Sequence, residues 1–349
     1  VTIAVDAMGG DYAPRAVVRG AVKASVEFDE PVVLVGDKPT IEAELGKLKR
    51  YDPARVSIRH STQVVGMNQS PSFALRHLAD TSIDAAWGEV SAGRAQAVVS
   101  CGHSGATMAF GLKAVGRLPG VDRPALAAIW PTAFGPVVMA DVGANVDCSG
   151  EQLFQFGVMS HVFARLALGI ETPKVGLINI GREEAKGNER LRRAFRLLSE
   201  SGLPFVGNIE GKDIFSGLAQ VVICDGFVGN VLLKFAEGWE MSRRRVLSAL
   251  ARRAQDKKSW RGYLMMKPIL RRHHQFFDYA EYGGAPLLGL GGLGLVCHGA
   301  STAKAVKNAV GLATVSLRHR LVDHLRDGLR PLRHLLSGSK RVSRPVEAV

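Results

Sequence analysis

The chain has 349 residues, is 46% hydrophobic and 22% charged, and carries a formal net charge of +13. Such length and apolar content exclude a disordered or fibrous chain and imply two ordinary domains or one large α/β domain with two lobes. The charge is confined: residues 241–277 hold eleven Lys or Arg against one acid, residues 317–349 hold eight against three, and the rest is at −2, which argues for one acidic partner surface and against a nucleic-acid footprint along the whole chain.

The first predicted strand, VTIAVDA, stops at Asp6 and leads through Gly9 and Gly10 to Asp11. A glycine pair there lets backbone approach an anion. Asp6 is expected to orient a lysine or an amide, and Asp11 to N-cap a helix that has Pro14 in its first turn. No leader is expected, because no charged stretch followed by an apolar one opens the chain. After the runs PVVLVGD (31–37) and AQAVVSCGH (95–103), small residues turn the chain past His103. A helix is expected to start at Ser104 or Gly105, with N–H groups suited to phosphate or an oxyanion. Residues 125–140 are uncharged, but Pro131, Gly135 and Pro136 divide them into two short strands instead of a membrane span.

GPVVMADVGAN (135–145) ends in Asp141 and Asn145, with Asp147 just beyond. KVGLINIG (174–181) ends in Asn179 and Gly181 and opens a glycine-containing loop with Lys186 and Asn188. Asn208 and Glu210 mark another strand end, and QVVICDG (220–226) places Asp225, Asn230 and Lys234 around a helix start. Within 240–277, Arg243, Arg244, Arg245, Arg252, Arg253, Lys257, Lys258, Arg271 and Arg272 alternate with Leu, Trp, Tyr, Met and Phe. This is the composition of a basic amphipathic helical hairpin, able to lie on an anionic membrane surface or to attract an acidic carrier protein. Residues 282–303 carry no Lys, Arg, Asp or Glu but hold seven glycines and a proline, and are expected to be loop and strand. LGLVCHG (293–299) ends at His298, before Ser301 and Lys304. A basic amphipathic helix is expected over 317–336, with breaks at Gly328 and Pro331, followed by a flexible tail at 337–349.

Apolar strands alternating with helices predict an α/β fold, a Rossmann-like, mostly parallel sheet flanked by helices. Ligands of such sheets bind beyond the carboxyl ends of the strands, which makes the polar strand ends above the candidate set, although each alone also fits turn and cap chemistry. GLGGLG (289–294) has the letters of a dinucleotide fingerprint but precedes its strand instead of following one. There is no G-x-x-x-x-G-K-[ST] and no G-x-S-x-G. The four cysteines, Cys101, Cys148, Cys224 and Cys297, are far apart in apolar runs, so no disulfide framework or CxxC site is expected and a reducing cytosol fits. Cys101/His103 and Cys297/His298 could offer metal ligands, yet strand cysteines are more often apolar fillers. No metal and no cofactor are expected.

DAMGGD, the small-residue turn at 102–107, DVGAN with Asp147, KGNE, GNIEG, CDGFVGN, GGAPLLG and the late HG together resemble the phosphate acyltransferase family of bacterial phospholipid synthesis, the PlsX family, in its order and over residues 1 to about 310. The resemblance implies a fold like that of phosphotransacetylases and isocitrate dehydrogenase. It implies transfer of a long-chain acyl group from acyl carrier protein to inorganic phosphate, the acyl phosphate then serving a downstream glycerol-3-phosphate acyltransferase. It also implies a homodimer in the cytoplasm, peripherally associated with the membrane. Where the family commonly has Asn-Thr in the turn, this chain has His103-Ser104.

Because phosphate is already anionic and a thioester already activated, such chemistry needs no Ser or Cys nucleophile. It needs a phosphate cradle, oxyanion donors and help for the departing thiolate. His298, Lys186, Asn230 and Asp6 are the candidate catalytic residues, His298 as proton donor to the thiolate. Gly9, Gly10, His103, Ser104, Gly105, Asn145, Asp147, Asn188, Asn208, Glu210, Asp225, Lys234 and Ser301 are candidates for holding phosphate or thioester. The expected organisation is a catalytic domain over 1–316 that includes the hairpin, then the helix at 317–336 and the tail. A short-chain phosphotransacetylase, a dehydrogenase of similar fold and a non-catalytic basic module that binds membrane or nucleic acid are the competing readings.

Overall fold

The computed structural model describes residues 1–48, 51–253 and 257–337. Its strands are β1 (Ile3–Asp6), β2 (Val32–Gly36), β3 (Val56–His60), β4 (Ala97–Ser100), β5 (Ala125–Thr132), β6 (Gly135–Ala140), β7 (Val175–Ile178), β8 (Phe205–Ile209), β9 (Val221–Ile223), β10 (Ala285–Leu288) and β11 (Leu293–Val296). The helices are α1 (Arg15–Glu27), α2 (Lys38–Leu45), α3 (Pro71–His77), α4 (Ser82–Ser91), α5 (Ser104–Val115), α6 (Gly150–Ala167), α7 (Glu189–Glu200), α8 (Gly226–Arg253), α9 (Lys257–Phe276), α10 (Ala303–Arg318), α11 (Leu321–Leu329) and α12 (Arg333–Ser337). The strands form one sheet in the order β3-β2-β1-β4-β11-β10-β5-β6-β9-β7-β8. Helices cover both faces, as the α/β reading requires.

The central strands are continuous apolar runs because they are covered on both sides; every residue of β1, β2, β4 and β11 is buried. The edge strands β3 and β8 carry weaker runs with half-buried or exposed positions. Residues 125–140 form two strands, as expected, although Pro131 and Pro136 do not themselves make the break. They face one another across the β5–β6 hairpin, a pairing in which neither residue has an N–H to leave unsatisfied, and the turn falls at Ala133 and Phe134. The GLGGLG segment is the β10–β11 turn, where a side chain on Gly291 would run into the Val115 carbonyl. Its glycines therefore serve close packing against α5.

Strand direction changes midway through the sheet. β1, β2, β3, β4 and β11 are mutually parallel. β10 is antiparallel to both β11 and β5, and β5 is antiparallel to β6; beyond them β6, β9, β7 and β8 are parallel again. Three reversals leave the two parallel groups running in opposite senses, so their carboxyl ends lie at opposite edges of the sheet.

Two cores result, one on each face. The first packs α1, α6, α7 and α10 on the sheet through residues such as Val18, Phe154, Leu198 and Val306. The second holds α4 and α5 through Trp87 and Phe110, together with the start of α8. Asp11 does not cap α1, which starts after Pro14 without any side-chain cap; the Asp11 N–H instead donates to the Gly299 carbonyl at 2.8 Å, holding the loop after β1 against the end of β11. The hairpin expected at 240–277 within the catalytic domain starts earlier than its basic segment. α8 is continuous from Gly226, because neither Gly229 nor Gly238 breaks it, and only its distal part pairs with α9.

Instead of one helix over 317–336, the chain ends α10 at Arg318, turns through Arg320 at φ +50° and forms α11 and α12. Gly328 stays inside α11 and allows close approach to Val162 of α6, while the break falls at Pro331. Leu321, Leu325 and Leu329 are buried on α6. The tail is outside the described residues apart from Ser337. Because Leu325 is 2% exposed, Leu325→Ala should lower the unfolding free energy by about 2–5 kcal/mol in a denaturant titration. A loss under about 0.5 kcal/mol would be surface behaviour and would mean that α11 is an appendage.

Candidate active site

The adjacent strands β1, β4 and β11 end at one edge, and the loops that follow them are tied together. Asp6 is fully buried and accepts from the Ser100 hydroxyl at 2.7 Å and from the Met8 N–H at 3.2 Å; the same Ser100 oxygen accepts from the Gly102 N–H at 3.0 Å. It orients no lysine. Instead it locks the turn that leads into α5, and Gly9 has no room for a side chain there because a Cβ would lie 2.6 Å from Asp6 Oδ2. Gly10 takes φ +101°, a conformation open to glycine, beneath the Gly299 carbonyl.

His103 is the N-cap of α5: its Nδ1 accepts from the Ala106 N–H at 3.3 Å. An imidazole thus does the capping work of the more common Asn or Ser. The first-turn amides of Ser104 and Gly105 have no partner within the helix, and Ser104 lines the adjoining groove. On the neighbouring strand end, His298 Nδ1 accepts from the Ala300 N–H at 3.1 Å. The other ring nitrogen, Nε2, stands 3.4 Å from Lys234 Nζ. Lys234 also pairs with Glu237 at 2.9 Å. Ser301 is buried and its N–H holds the His298 carbonyl at 2.9 Å, so it shapes the loop from behind.

These groups stand at the mouth of a groove of about 1590 Å³, larger than the roughly 300–1,000 Å³ of ordinary small-molecule sites. Its floor is the face of β5 that carries Leu126, Ala128 and Trp130, and its roof is α8, with Asn230, Leu233 and Lys234. The start of α8 sits close on the β6 loop because Gly229 leaves room for the Asp141 carbonyl, and Asp225 caps this start by accepting from the Val228 N–H at 2.8 Å. A second arm of the groove runs between α8 and α9, where Arg243 bonds Glu240 at 2.7 Å and His273 at 2.9 Å. Arg243 is therefore an interhelical tie and not a surface cation. Arg245, Arg252, Arg253, Lys258, Arg271 and Arg272 are exposed; the side chains of Arg244 and Lys257 lie outside the described residues.

The remaining candidates belong to the opposite parallel group and do not line the groove. Asn145 is buried and donates to the Pro124 carbonyl at 2.7 Å and to Asp141 at 2.9 Å, which occupies its amide in the fold. Asp147 pairs with Arg190. Lys186 is exposed in the loop after β7, Asn188 caps α7, Asn208 donates to the Glu183 carbonyl at 2.9 Å, and Glu210 pairs with Lys212 at 2.6 Å. Asn208 and Glu210 lie at the end of β8 and the others in the segments after β6 and β7, all on strands running the other way. The groups that sequence reasoning missed are the groove's apolar walls, above all Trp130, Phe215 and Leu233, which carry no polar signal.

Burial raises the Asp6 carboxyl against the hydrogen bonds from Ser100 and Met8, and burial likewise raises Asp141. A hydrogen bond with Cys101 together with burial pushes the Cys297 thiol well above its ordinary range, so the cysteine that reaches the groove is no thiolate. No group of three metal-ligating side chains occurs among the described residues. Asp6→Ala should cost about 1–3 kcal/mol by stranding Ser100 and Met8, whereas the exposed, non-capping Asp11 should change stability by less than about 0.5 kcal/mol when replaced by Ala. Since a raised carboxyl favours the folded state only while protonated, the stability it contributes is lost as pH climbs above the ordinary value of 3.8. Asp6→Asn should therefore gain on the wild type with rising pH in denaturant titrations; a constant difference would contradict the raised carboxyl.

Comparison with known proteins accords with this geometry. The profile of the family described as "Fatty acid synthesis protein" matches residues 1–322. The phosphate acyltransferase of Syntrophotalea carbinolica is 48% identical over 327 residues, 93% of each chain. That of Nitratidesulfovibrio vulgaris is 49% identical over 312 residues, 89% of this chain and 90% of the relative. Among solved structures, a phosphotransacetylase from Streptococcus pyogenes superposes with a TM-score of 0.62 at 17% identity, covering 90% of this chain and 94% of the other. The EutD phosphotransacetylase from Staphylococcus aureus gives 0.59 at 16%, with the same coverage. At such identities these two show the shared fold alone. On the extent and identity of the sequence matches, the chain belongs to the phosphate acyltransferase family of fatty acid and phospholipid synthesis.

Proposed function

We propose that this acyltransferase takes a long-chain fatty acyl group from acyl carrier protein and passes it to inorganic phosphate at the mouth of the groove. The observation that carries the reading is the junction of a polar mouth (Ser104, Lys234, His298) with apolar walls over β5 in one groove of about 1590 Å³. A short-chain phosphotransacetylase has no use for that cleft. A phosphate oxygen attacks the thioester carbonyl carbon, with the Ser104 and Gly105 amides and Lys234 offering donors to phosphate and oxyanion. As the intermediate collapses, the C–S bond breaks and the thiolate takes a proton from the doubly protonated ring of His298, which is left neutral and is reprotonated from solvent. Asp6 acts as a positioning residue through Ser100 and the turn at Gly102, and Asn230 borders the mouth. Metal and cofactor have no step in this scheme.

The exposed arginines and lysines of α8 and α9 lie among exposed Trp239, Leu250, Met265 and Ile269, an arrangement suited to an anionic leaflet. No helix among the described residues is long and apolar enough to cross a membrane. Peripheral attachment, a homodimer and delivery of the acyl phosphate to a glycerol-3-phosphate acyltransferase complete the proposal.

The primary test is thiol release from long-chain acyl carrier protein by the purified enzyme, with and without phosphate. Release should require phosphate and yield acyl phosphate, and His298→Ala should slow it by about 10²–10⁴-fold in kcat; phosphate-independent release, or wild-type kcat in the variant, would overturn the mechanism. For the surface, Arg245, Arg252 and Arg253 changed together to Glu should abolish flotation with anionic vesicles, each cation giving roughly 1 kcal/mol of attraction. Retained flotation would remove the electrostatic role of this surface.

A further inference from the structure

The groove divides beyond its mouth, and its two arms differ in chemistry. The arm between α8 and α9 is of mixed character, with Glu240, Arg243 and Lys267 beside Trp239, Leu247 and Leu270 on its walls. The other crosses the sheet from β11 over β10 to β5, and its walls are Leu126, Ala128, Val142, Leu232, Leu233 and Ala236. Two strand steps at about 4.8 Å each carry a ligand on the order of 10 Å from His298 to the β5 face. There Trp130 stands up from β5 and stacks on Phe215 at a centroid separation of 5.7 Å and an interplanar angle of 25°. Phe215 comes from the 3-10 turn Gly211–Phe215 that follows β8, so the two rings join the middle of the sheet to its far side.

We infer that the apolar arm is the acyl-chain channel and that the Trp130–Phe215 stack is its end wall, which sets the length of chain the enzyme accepts. This rests on the reading of the groove as the acyl site. A hydrocarbon gains by leaving water for Leu, Ala and Val walls and would leave paired charges poorly solvated in the other arm. Trp130 is 7% exposed and gripped on its far face by Phe215, itself 45% exposed; the pair is thus rigid at the channel and wet behind. Ala128, two residues before Trp130 and on the same face of β5, is the small residue that keeps the channel open.

The test is kcat/KM across saturated acyl carrier protein thioesters of increasing length, with phosphate saturating. Phe215→Ala, at a partly exposed site that folding tolerates, and Trp130→Ala should move the optimum to longer chains, raising kcat/KM for the longest thioester relative to the wild-type optimum by on the order of tenfold or more. Ala128→Leu should move it to shorter chains. Opposite shifts from the two kinds of variant establish the end wall. An unchanged length profile in active variants overturns the inference while leaving the acyl reading intact. Absence of phosphate-dependent transfer in the wild type overturns both.

Discussion

The antiparallel pairing of β10 with β11 on one side and with β5 on the other is the constraint on which the site depends. With the β5–β6 hairpin it joins two parallel groups of strands that run in opposite senses, so each contributes a different part. The β1–β4–β11 group brings its loops to one edge, where α5 begins and His298 stands. The β6–β9 group ends at the other edge, and α8 must cross the sheet face from there. That crossing delivers Lys234 to within 3.4 Å of His298 and leaves beneath it a space roofed by one helix and floored by β5. Were the sheet parallel throughout, α8 would start beside His298 and there would be no such covered cleft.

Two buried carboxylates hold the two ends of this arrangement. Asp6 organises the turn before α5 through Ser100, and Asp141 accepts from the backbone of Leu126, Ala144 and Asn145, fixing the loop on which α8 starts. Both remain unfavourably desolvated, an expense the fold tolerates because each carboxylate holds a polar loop that has no regular hydrogen-bond ladder. The same logic explains Asn145: a side chain that looks like a ligand for substrate is a ligand for the fold. The distal half of α8 extends the groove as one rigid rod into the basic surface that α9 shares, so whatever docks on that surface meets a helix whose other end lies at the chemistry.

What was legible in the sequence follows from which forces are local. Apolar runs ending in Asp, Asn or His predicted the buried strands and the α/β alternation, because burial on both faces imposes continuous apolar sequence. Asn188 and Asp225, expected to hold phosphate or thioester, are helix caps, placed by a short-range preference of side chain for backbone. Ser104, His298, Lys234 and Asn230 were found together with Lys186, Asn208 and Asp147, which the sheet places elsewhere. Nothing in their immediate neighbours separates the two sets.

By itself the sequence determined the fold class, the basic helix pair and a pool of polar strand ends, which are written in nearest-neighbour composition and spacing, while the family was legible only through the resemblance of its short motifs to a known one. Only the tertiary structure decided which of those ends share an edge, that Asn145 and Arg243 are internal ties, and that Leu126, Ala128, Trp130 and Leu233 face a common cleft. The physical reason is that strand direction is set by pairing between segments such as β10 and β5, about 160 residues apart, and no local pattern of residues encodes which way a distant partner runs.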